Sequence, residues 1–138
     1  MKIPEQKVIL CGEFGVGKSS LFRRFMNDTF TTATDRKSTM GLDHYGKVYN
    51  VKEKDIKLQL WDTGGKNFKD FCKEVFIKNH KYFFHIGMER VASITSSYYK
   101  YSEAAILVFA LDNPDTFHIL SQHLLDIVTY AENAKIFL

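Results

Sequence analysis

Cysteines, long apolar runs and excess charge are all scarce in this chain of 138 residues. The two cysteines, Cys11 and Cys72, lie far apart and lack the spacing of metal ligands. They exclude a disulfide framework and a cysteine-based metal site, and they favour a reducing, cytosolic compartment. Cys11 falls within an apolar run, so we expect it to be a small core residue rather than a reactive thiol.

The longest uninterrupted apolar run, residues 104–111, has the length of a strand and is too short to span a membrane. No signal-peptide pattern follows Met1, and Lys2 stands where N-myristoylation would require glycine. We therefore expect no transmembrane segment and no lipid anchor at the N-terminus. With 45% hydrophobic residues the chain can bury one core, and a single domain over residues 1–138 is expected.

The net charge of +3 is only a weak indication of nucleic-acid binding. The whole excess lies in residues 66–87, where five lysines stand against Asp70 and Glu74. Because the rest of the chain is neutral, we expect no nucleic-acid partner.

The most informative pattern begins at Gly12, where the chain fits the phosphate-binding pattern G-x-x-x-x-G-K-[ST]. It directly follows residues 7–11, which read as a buried strand, and it precedes a predicted helix of about residues 18–26. The alternative is a chance match in a glycine-containing loop. The strand before the pattern and the helix after it disfavour that alternative.

Glycines let such a loop wrap closely around an anion, and the helix that follows points its positive end at the same place. Lys18 is expected to bridge the outer phosphates as a point charge, and Ser19 to offer its hydroxyl to Mg²⁺. The residues expected to contact the nucleotide here are Phe14, Gly15, Val16, Gly17, Lys18, Ser19 and Ser20. The helical spacing predicts a buried face that contains Leu21, Phe22 and Phe25.

Strand and helix signals alternate along the rest of the chain. Residues 44–51 and 56–61 read as antiparallel strands joined by the charged turn 52–55. A buried strand is predicted at 104–111, and a helix at about 114–132, with Asn113 as its cap. The last five residues look like one more buried strand. This alternation indicates an α/β fold with a mostly parallel, doubly wound sheet, in which phosphates bind where a strand's carboxyl end meets a helix.

Three further residues gain meaning from the phosphate-binding pattern. Asp62 ends a predicted strand and suits a carboxylate on the Mg²⁺ side, and Thr39 could add a second hydroxyl to the metal. Gly65 could bring a backbone NH group to a terminal phosphate. Taken alone, the Asp62 to Gly65 segment would be an ordinary turn and Thr39 an ordinary loop residue.

Together these residues resemble the Ras superfamily of small GTPases, a P-loop NTPase family, and most closely its Rab branch. The matching segments, besides the phosphate-binding pattern, are residues 38–43 for the first switch, 57–63 between the switches, 95–100 for the second-switch helix, and 105–109 for the next strand. Phe30 falls where the family has an aromatic residue that packs on the guanine edge.

The resemblance implies a GTP-binding switch that takes GTP or GDP with Mg²⁺ and acts in vesicle and intracellular membrane traffic. It implies effector and regulator proteins that bind through the switch regions. It also implies a cytoplasmic protein whose full-length parent works at the cytosolic face of intracellular membranes.

The departures from the family concern catalysis first. Whichever register holds after Gly65, the water-positioning glutamine is replaced, by Lys66 or by Met88, so no catalytic residue is assigned. Phe14 stands where the family usually has a smaller residue and would crowd the terminal phosphate. GTP hydrolysis is therefore expected to be very slow. His44 replaces an aromatic residue that Rab effectors commonly read.

Residues 66–87 look like an insertion in the second switch. Phe68, Phe71 and Phe76 fall at helical spacing, with Lys69 and Lys73 away from that face. One interpretation is an added amphipathic helix that binds a partner or an anionic membrane surface. The other is an artefact of alternative splicing or of the gene model. Both remain open.

By this resemblance the family's guanine-reading element, last strand, last helices and prenylated cysteines would follow Leu138, so we expect no C-terminal prenylation site in residues 1–138. We interpret residues 1–138 as an incomplete Rab-like G domain. The alternatives are a non-hydrolysing interaction module, a non-functional splice fragment of such a GTPase, and an ATP-directed P-loop protein.

Overall fold

A computed structural model of the chain describes residues 2–13, 15–30, 42–63 and 96–138. Its elements, in chain order, are β1 (Glu5–Cys11), α1 (Lys18–Asn27), β2 (Leu42–Val51), β3 (Lys54–Thr63), β4 (Ala104–Leu107), α2 (Pro114–His118), α3 (Leu120–Tyr130) and β5 (Lys135–Phe137). A helical turn at 96–99 precedes β4. The expectations for the 66–87 block lie outside the described residues.

In the described part of the chain, five strands form one sheet in the order β2-β3-β1-β4-β5. The central strand β1 pairs in parallel with β3 and with β4, β5 is parallel to β4, and β2 is antiparallel to β3. This confirms the predicted α/β fold with a mostly parallel sheet. After β1 the chain first forms the strands on one side of it, β2 and β3, and later those on the other side, β4 and β5. The carboxyl end of β1 is therefore a topological switch point, and ligands of such sheets bind at these points.

Successive residues of β1 point to opposite faces of the sheet and enter two separate clusters. On one face, Val8 and Leu10 pack with Phe22 of α1 and Leu60 of β3. On the other face, the core contains Ile9, Cys11, Tyr98, Tyr99, Ala105, Leu107, Leu120 and Ile127. The sheet is therefore covered by α1 on one side and by α3 with the 96–99 turn on the other, which explains why the end of β1 is buried throughout.

The predicted buried face of α1 is partly wrong. Phe22 is buried and Phe25 packs against the core, whereas Leu21 is about half exposed. Lys18 takes the sheet-facing position at the start of the helix, and the residue four positions later, Phe22, lies on the same face. Leu21 is one position before Phe22 and so projects about 100° away from the sheet.

The hairpin of β2 and β3 is longer than predicted. Pairing runs from Leu42 with Thr63 to Val51 with Lys54, so only Lys52 and Glu53 remain in the turn. Both turn residues have positive φ, 49° and 65°. This is the backbone of a type I′ turn, whose twist matches that of the strands, so the expected four-residue turn is wrong.

The elements after residue 104 also end differently from the prediction. β4 stops at Leu107 rather than at Leu111, and the Ala110 amide donates to the Thr116 hydroxyl at 2.9 Å instead of continuing a strand. The predicted long helix is two helices, α2 and α3, separated at Ile119. Asn113 caps α2 as expected, since its side chain accepts from the Asp115 amide at 3.2 Å.

No helix within the described ranges has both the length and the apolar character that crossing a membrane requires.

Tyr98 fastens the 96–99 turn to the sheet. Its hydroxyl donates to the Leu10 carbonyl at 2.7 Å and lies 3.2 Å from the Trp61 carbonyl, so it joins the ends of β1 and β3. The side chain is buried, and burial raises the pKa of Tyr98 well above its ordinary value. Burial thus favours the protonated hydroxyl, which is the form that can donate.

We expect Tyr98→Phe to lower the free energy of unfolding by about 1–2 kcal/mol, because it leaves buried carbonyl oxygens without their donor. Urea unfolding measures the change. Tyr101→Phe is the matched control, since Tyr101 is 80% exposed and the same substitution there should change stability by less than about 0.5 kcal/mol. Equal effects of the two substitutions would contradict the assigned hydrogen bonds.

Candidate phosphate-binding site

Residues 12–17 connect the central strand β1 to α1, at the switch point of the sheet. Gly12 opens this loop with φ 152°, and a Cβ atom built on it would lie 2.2 Å from the Val108 carbonyl oxygen. No side chain can be accommodated at that distance, so glycine allows the loop to leave β1 directly against the chain that follows β4.

The N-terminus of α1 is open towards the loop. Its cap residue, Gly17, has the left-handed conformation with φ 106°, and within the described residues no side chain caps the helix or places an acidic group in its first turn. The first amides of a helix have no partners within the helix and carry its partial positive charge. This end of α1, which includes Ser19 and Ser20, is therefore suited to bind an anion.

Lys18 is the first residue of α1, its side chain reaches back into the loop, and the residue is almost fully buried, with an exposure of 4%. Its ammonium donates to the carbonyl oxygens of Gly12 at 2.6 Å and Glu13 at 2.9 Å. Burial lowers the pKa of Lys18, and the nearby charge of Asp62 acts in the opposite direction. The ammonium thus curves the loop around itself and places a positive charge beside the helix N-terminus.

Ser19 and Asp62, two of the three residues predicted to bind Mg²⁺, lie in direct contact. The Ser19 hydroxyl donates to Oδ2 of Asp62 at 2.6 Å, and Asp62 is 1% exposed. Because β1 and β3 are parallel, their carboxyl ends reach the same edge of the sheet, which brings Asp62 to the loop. A hydroxyl and a buried carboxylate are hard oxygen donors, so this pair fits Mg²⁺ by its chemistry.

The remaining site predictions fall into two groups. Gly15, Val16 and Ser20 lie in the loop or the first turn of α1, and Phe30 is an exposed aromatic residue shortly after that helix. Their contacts with a nucleotide stay predictions. The expectations for the other positions lie outside the described residues, namely those for Phe14, Thr39, Gly65, Lys66 and Met88.

A polar cluster that the sequence did not reveal lies behind the loop. Nε2 of His123 lies 3.8 Å from Oε1 of Glu13, and the Tyr99 hydroxyl lies 3.5 Å from Nδ1 of the same ring. His123 is buried with Leu120 and Ile127 on the inner face of α3. A histidine at the apolar spacing of a helix was the only signal in the sequence, and it did not reveal that the partner is a residue of the phosphate loop.

Cys11 completes the surroundings of this cluster. It is a buried thiol at the end of β1, outside any disulfide in the described part of the chain, and burial raises its pKa to about 12. The expectation that Cys11 is a core residue is confirmed, and its low reactivity stays a prediction.

A glycine-containing loop between a central parallel strand and a helix, with a lysine inside it and a Ser-Asp pair beside it, defines the P-loop class of nucleotide-binding folds. The Roc family model, described as Ras of Complex, Roc, domain of DAPkinase, matches residues 7–86. The Ras family model matches residues 69–138. Each covers more than half of the chain, and the chain belongs to the Ras superfamily of small GTPases as a Rab-like member.

Curated relatives agree with this family. The mouse (Mus musculus) Ras-related protein Rab-12 is 37% identical over 133 residues, which cover 96% of this chain and 45% of that protein. The GTP-binding protein ypt1 of Schizosaccharomyces pombe is 34% identical over 125 residues, covering 91% of this chain and 50% of that protein. The chain therefore spans about half the length of the curated relatives it matches.

We expect Lys18→Ala to weaken binding of a fluorescent GDP analogue by about tenfold or more, because it removes the ammonium inside the loop and its charge-assisted hydrogen bonds. Fluorescence titration of the purified chain measures the change. Lys54→Ala is the matched control, since Lys54 is exposed at the opposite, amino end of β3. Unchanged GDP binding by the Lys18→Ala chain would mean that the phosphate-loop assignment is wrong.

Proposed function

We propose that this chain carries the phosphate- and Mg²⁺-binding half of a GTP-dependent switch that works in vesicle and intracellular membrane traffic. The observation that carries the proposal is the 2.6 Å contact between Ser19 and Asp62, beside the buried ammonium of Lys18. The GTP-binding and Ras-related names of the relatives support the nucleotide and the family of switches.

In this proposal the groups around the loop have separate tasks. The N-terminus of α1 and the Lys18 ammonium bind the phosphate groups, while Ser19 and Asp62 hold Mg²⁺. Bound Mg²⁺ supplies positive charge that neutralises the phosphate oxygens. Thr39 adds a second hydroxyl to the metal, and the backbone NH of Gly65 binds the terminal phosphate. The further nucleotide contacts that belong to the proposal are those of Phe14, Gly15, Val16, Gly17, Ser20 and Phe30.

In this proposal the chain hydrolyses GTP only very slowly. The position of the water-orienting glutamine carries Lys66 or Met88, and neither side chain can both donate and accept a hydrogen bond as glutamine does. We therefore assign the chain a GTPase activity that is very slow without a partner, and a role in which loaded GTP persists.

A specific contact favours a second candidate function, that of a non-hydrolysing interaction module. His44 of β2 stacks on Trp61 of β3 with ring centroids 4.5 Å apart, and the Lys7 ammonium lies 4.8 Å from the centre of the Trp61 ring. Rab effectors commonly read an aromatic residue at the position of His44. The imidazole of His44 and the ammonium of Lys7 beside the Trp61 indole therefore offer a partner a different surface. An effector or regulator protein that binds there would recognise this chain without any hydrolysis.

We expect Mg²⁺ to slow the release of a fluorescent GDP analogue from the parent chain, and Asp62→Asn to reduce that effect about tenfold, because the amide cannot supply the negative charge that the metal requires. Release is followed after dilution into excess unlabelled GDP, with and without Mg²⁺. Competition with ATP tests whether the chain prefers guanine over adenine. Asp55→Asn is the matched control at the far end of the hairpin, where Asp55 accepts from the Asn50 side chain. An equal Mg²⁺ effect in the parent and in Asp62→Asn would contradict the proposed metal site.

We expect single-turnover release of phosphate from bound GTP to be slower than the order of 10⁻⁴ per second that unaided members of this class reach. The reason is the missing amide side chain at the glutamine position. A rate clearly above that level would show that another residue positions the attacking water, and it would contradict the non-hydrolysing interaction module.

A further inference from the structure

A buried histidine of α3 contacts the phosphate loop from behind. Nε2 of His123 lies 3.8 Å from Oε1 of Glu13, and Glu13 is the second residue of the loop. The two side chains are only 11% and 28% exposed, so water screens the contact much less than it screens a surface ion pair. Glu13 therefore joins the loop to α3 through a shielded polar contact.

The other ring nitrogen of His123 faces a different element. Nδ1 lies 3.5 Å from the Tyr99 hydroxyl, which belongs to the helical turn 96–99. A neutral imidazole has one donor and one acceptor, whereas the protonated ring has two donors. In the neutral ring Nδ1 can accept from Tyr99 while the Nε2–H group faces the Glu13 carboxylate at 3.8 Å. Protonation converts the contact with Glu13 into an ion pair.

Several charged and titratable groups face the imidazole from the surrounding elements. Burial lowers the pKa of His123, and the Lys18 ammonium on α1 lowers it further. Glu13 in the loop and Asp126 on α3 raise it, and the Tyr99 hydroxyl separates the ring from Cys11 on β1. The net shift is downward, so the ring takes up its proton on the acidic side of the ordinary histidine range.

We propose that His123 is a proton-sensitive positioning residue of the phosphate loop, which holds the loop through Glu13 more firmly when the imidazole is protonated. The consequence for nucleotide retention rests on the function proposed above. A phosphate anion in the loop stabilises a nearby imidazolium, and by linkage a proton on His123 strengthens phosphate binding.

Protonation of His123 lowers folding stability, whereas it is proposed to strengthen phosphate binding. The two effects can therefore be distinguished by their opposite dependence on pH. Because the pKa of His123 is lowered in the folded chain, the unfolded chain takes up this proton first as the pH falls. The contribution of His123 to stability is therefore complete above the ordinary histidine pKa and is lost as the pH falls from there through the folded pKa. Slower nucleotide release at lower pH cannot arise from that loss of stability.

The first experiment follows the chain by NMR between pH 8 and pH 5, without nucleotide. The amide signals of Gly15 and Gly17 are expected to shift with the same midpoint as the His123 ring. Glu13→Gln should lower that midpoint and reduce the amide shifts, because it removes a carboxylate that favours the charged ring. Glu132→Gln is the matched control, since Glu132 is exposed beyond the end of α3.

The second experiment measures release of a fluorescent GDP analogue at pH 7.5 and at pH 5.5. Release from the parent is expected to be about fivefold slower at the lower pH, at the small end of coupling between sites. His123→Gln should abolish the difference after correction for the titration of the phosphate itself. His118→Gln, a change at an exposed histidine of α2, should preserve it. If His123→Gln does not fold, Glu13→Gln serves in its place.

Loop amides that do not follow the His123 midpoint would overturn the proposal, and so would an unchanged midpoint in Glu13→Gln. Retained pH dependence of release in a folded His123→Gln chain would also overturn it. If the parent chain binds no nucleotide at any pH, the proposed nucleotide function fails, while the amide titration still decides whether His123 positions the loop.

Discussion

The arrangement of the site depends on one buried charge, the ammonium of Lys18. Removing such a group from water costs several kcal/mol unless hydrogen bonds and an opposite charge compensate it. Here the carbonyl oxygens of Gly12 and Glu13 and the charge of Asp62 supply that compensation. The loop must therefore curve so that its carbonyl groups face inward, and β3 must deliver a carboxylate to the same place. The positive end of α1 and the hydroxyl of Ser19 then lie near Asp62, at the carboxyl ends of β1 and β3.

Parallel pairing turns this local requirement into a property of the whole sheet. β1 has β3 on one side and β4 on the other, so the loop, the Ser19–Asp62 contact and the chain after Leu107 all meet at one edge. Tyr98 fixes the same edge from the opposite face, because its hydroxyl reaches the carbonyl groups that precede Cys11 and Asp62. Groups from both sides of the sheet thus bond to carbonyl groups at or just beyond the carboxyl ends of β1 and β3.

Local patterns in the sequence predicted the phosphate loop, the order of strands and helices and the cap at Asn113, because each depends on residues close together in the chain. They failed for Leu21 because Lys18 and Phe22, and not Leu21, lie on the buried face of α1, and for the end of β4 because the Ala110 amide donates to Thr116. The contact between His123 and Glu13 could not be predicted from local patterns either. It depends on how α3 packs against the loop, and the two residues are far apart in the sequence.

The state of Cys11 has a consequence for how the site responds to oxidants. A thiolate, and not a thiol, is the species that reacts with peroxides and disulfides. With its pKa raised to about 12 by burial, Cys11 remains a thiol at any physiological pH, although it directly precedes the phosphate loop. Oxidative modification at this position requires the core to open first. As long as the core stays closed, the thiol that precedes the phosphate loop is thus shielded from oxidants.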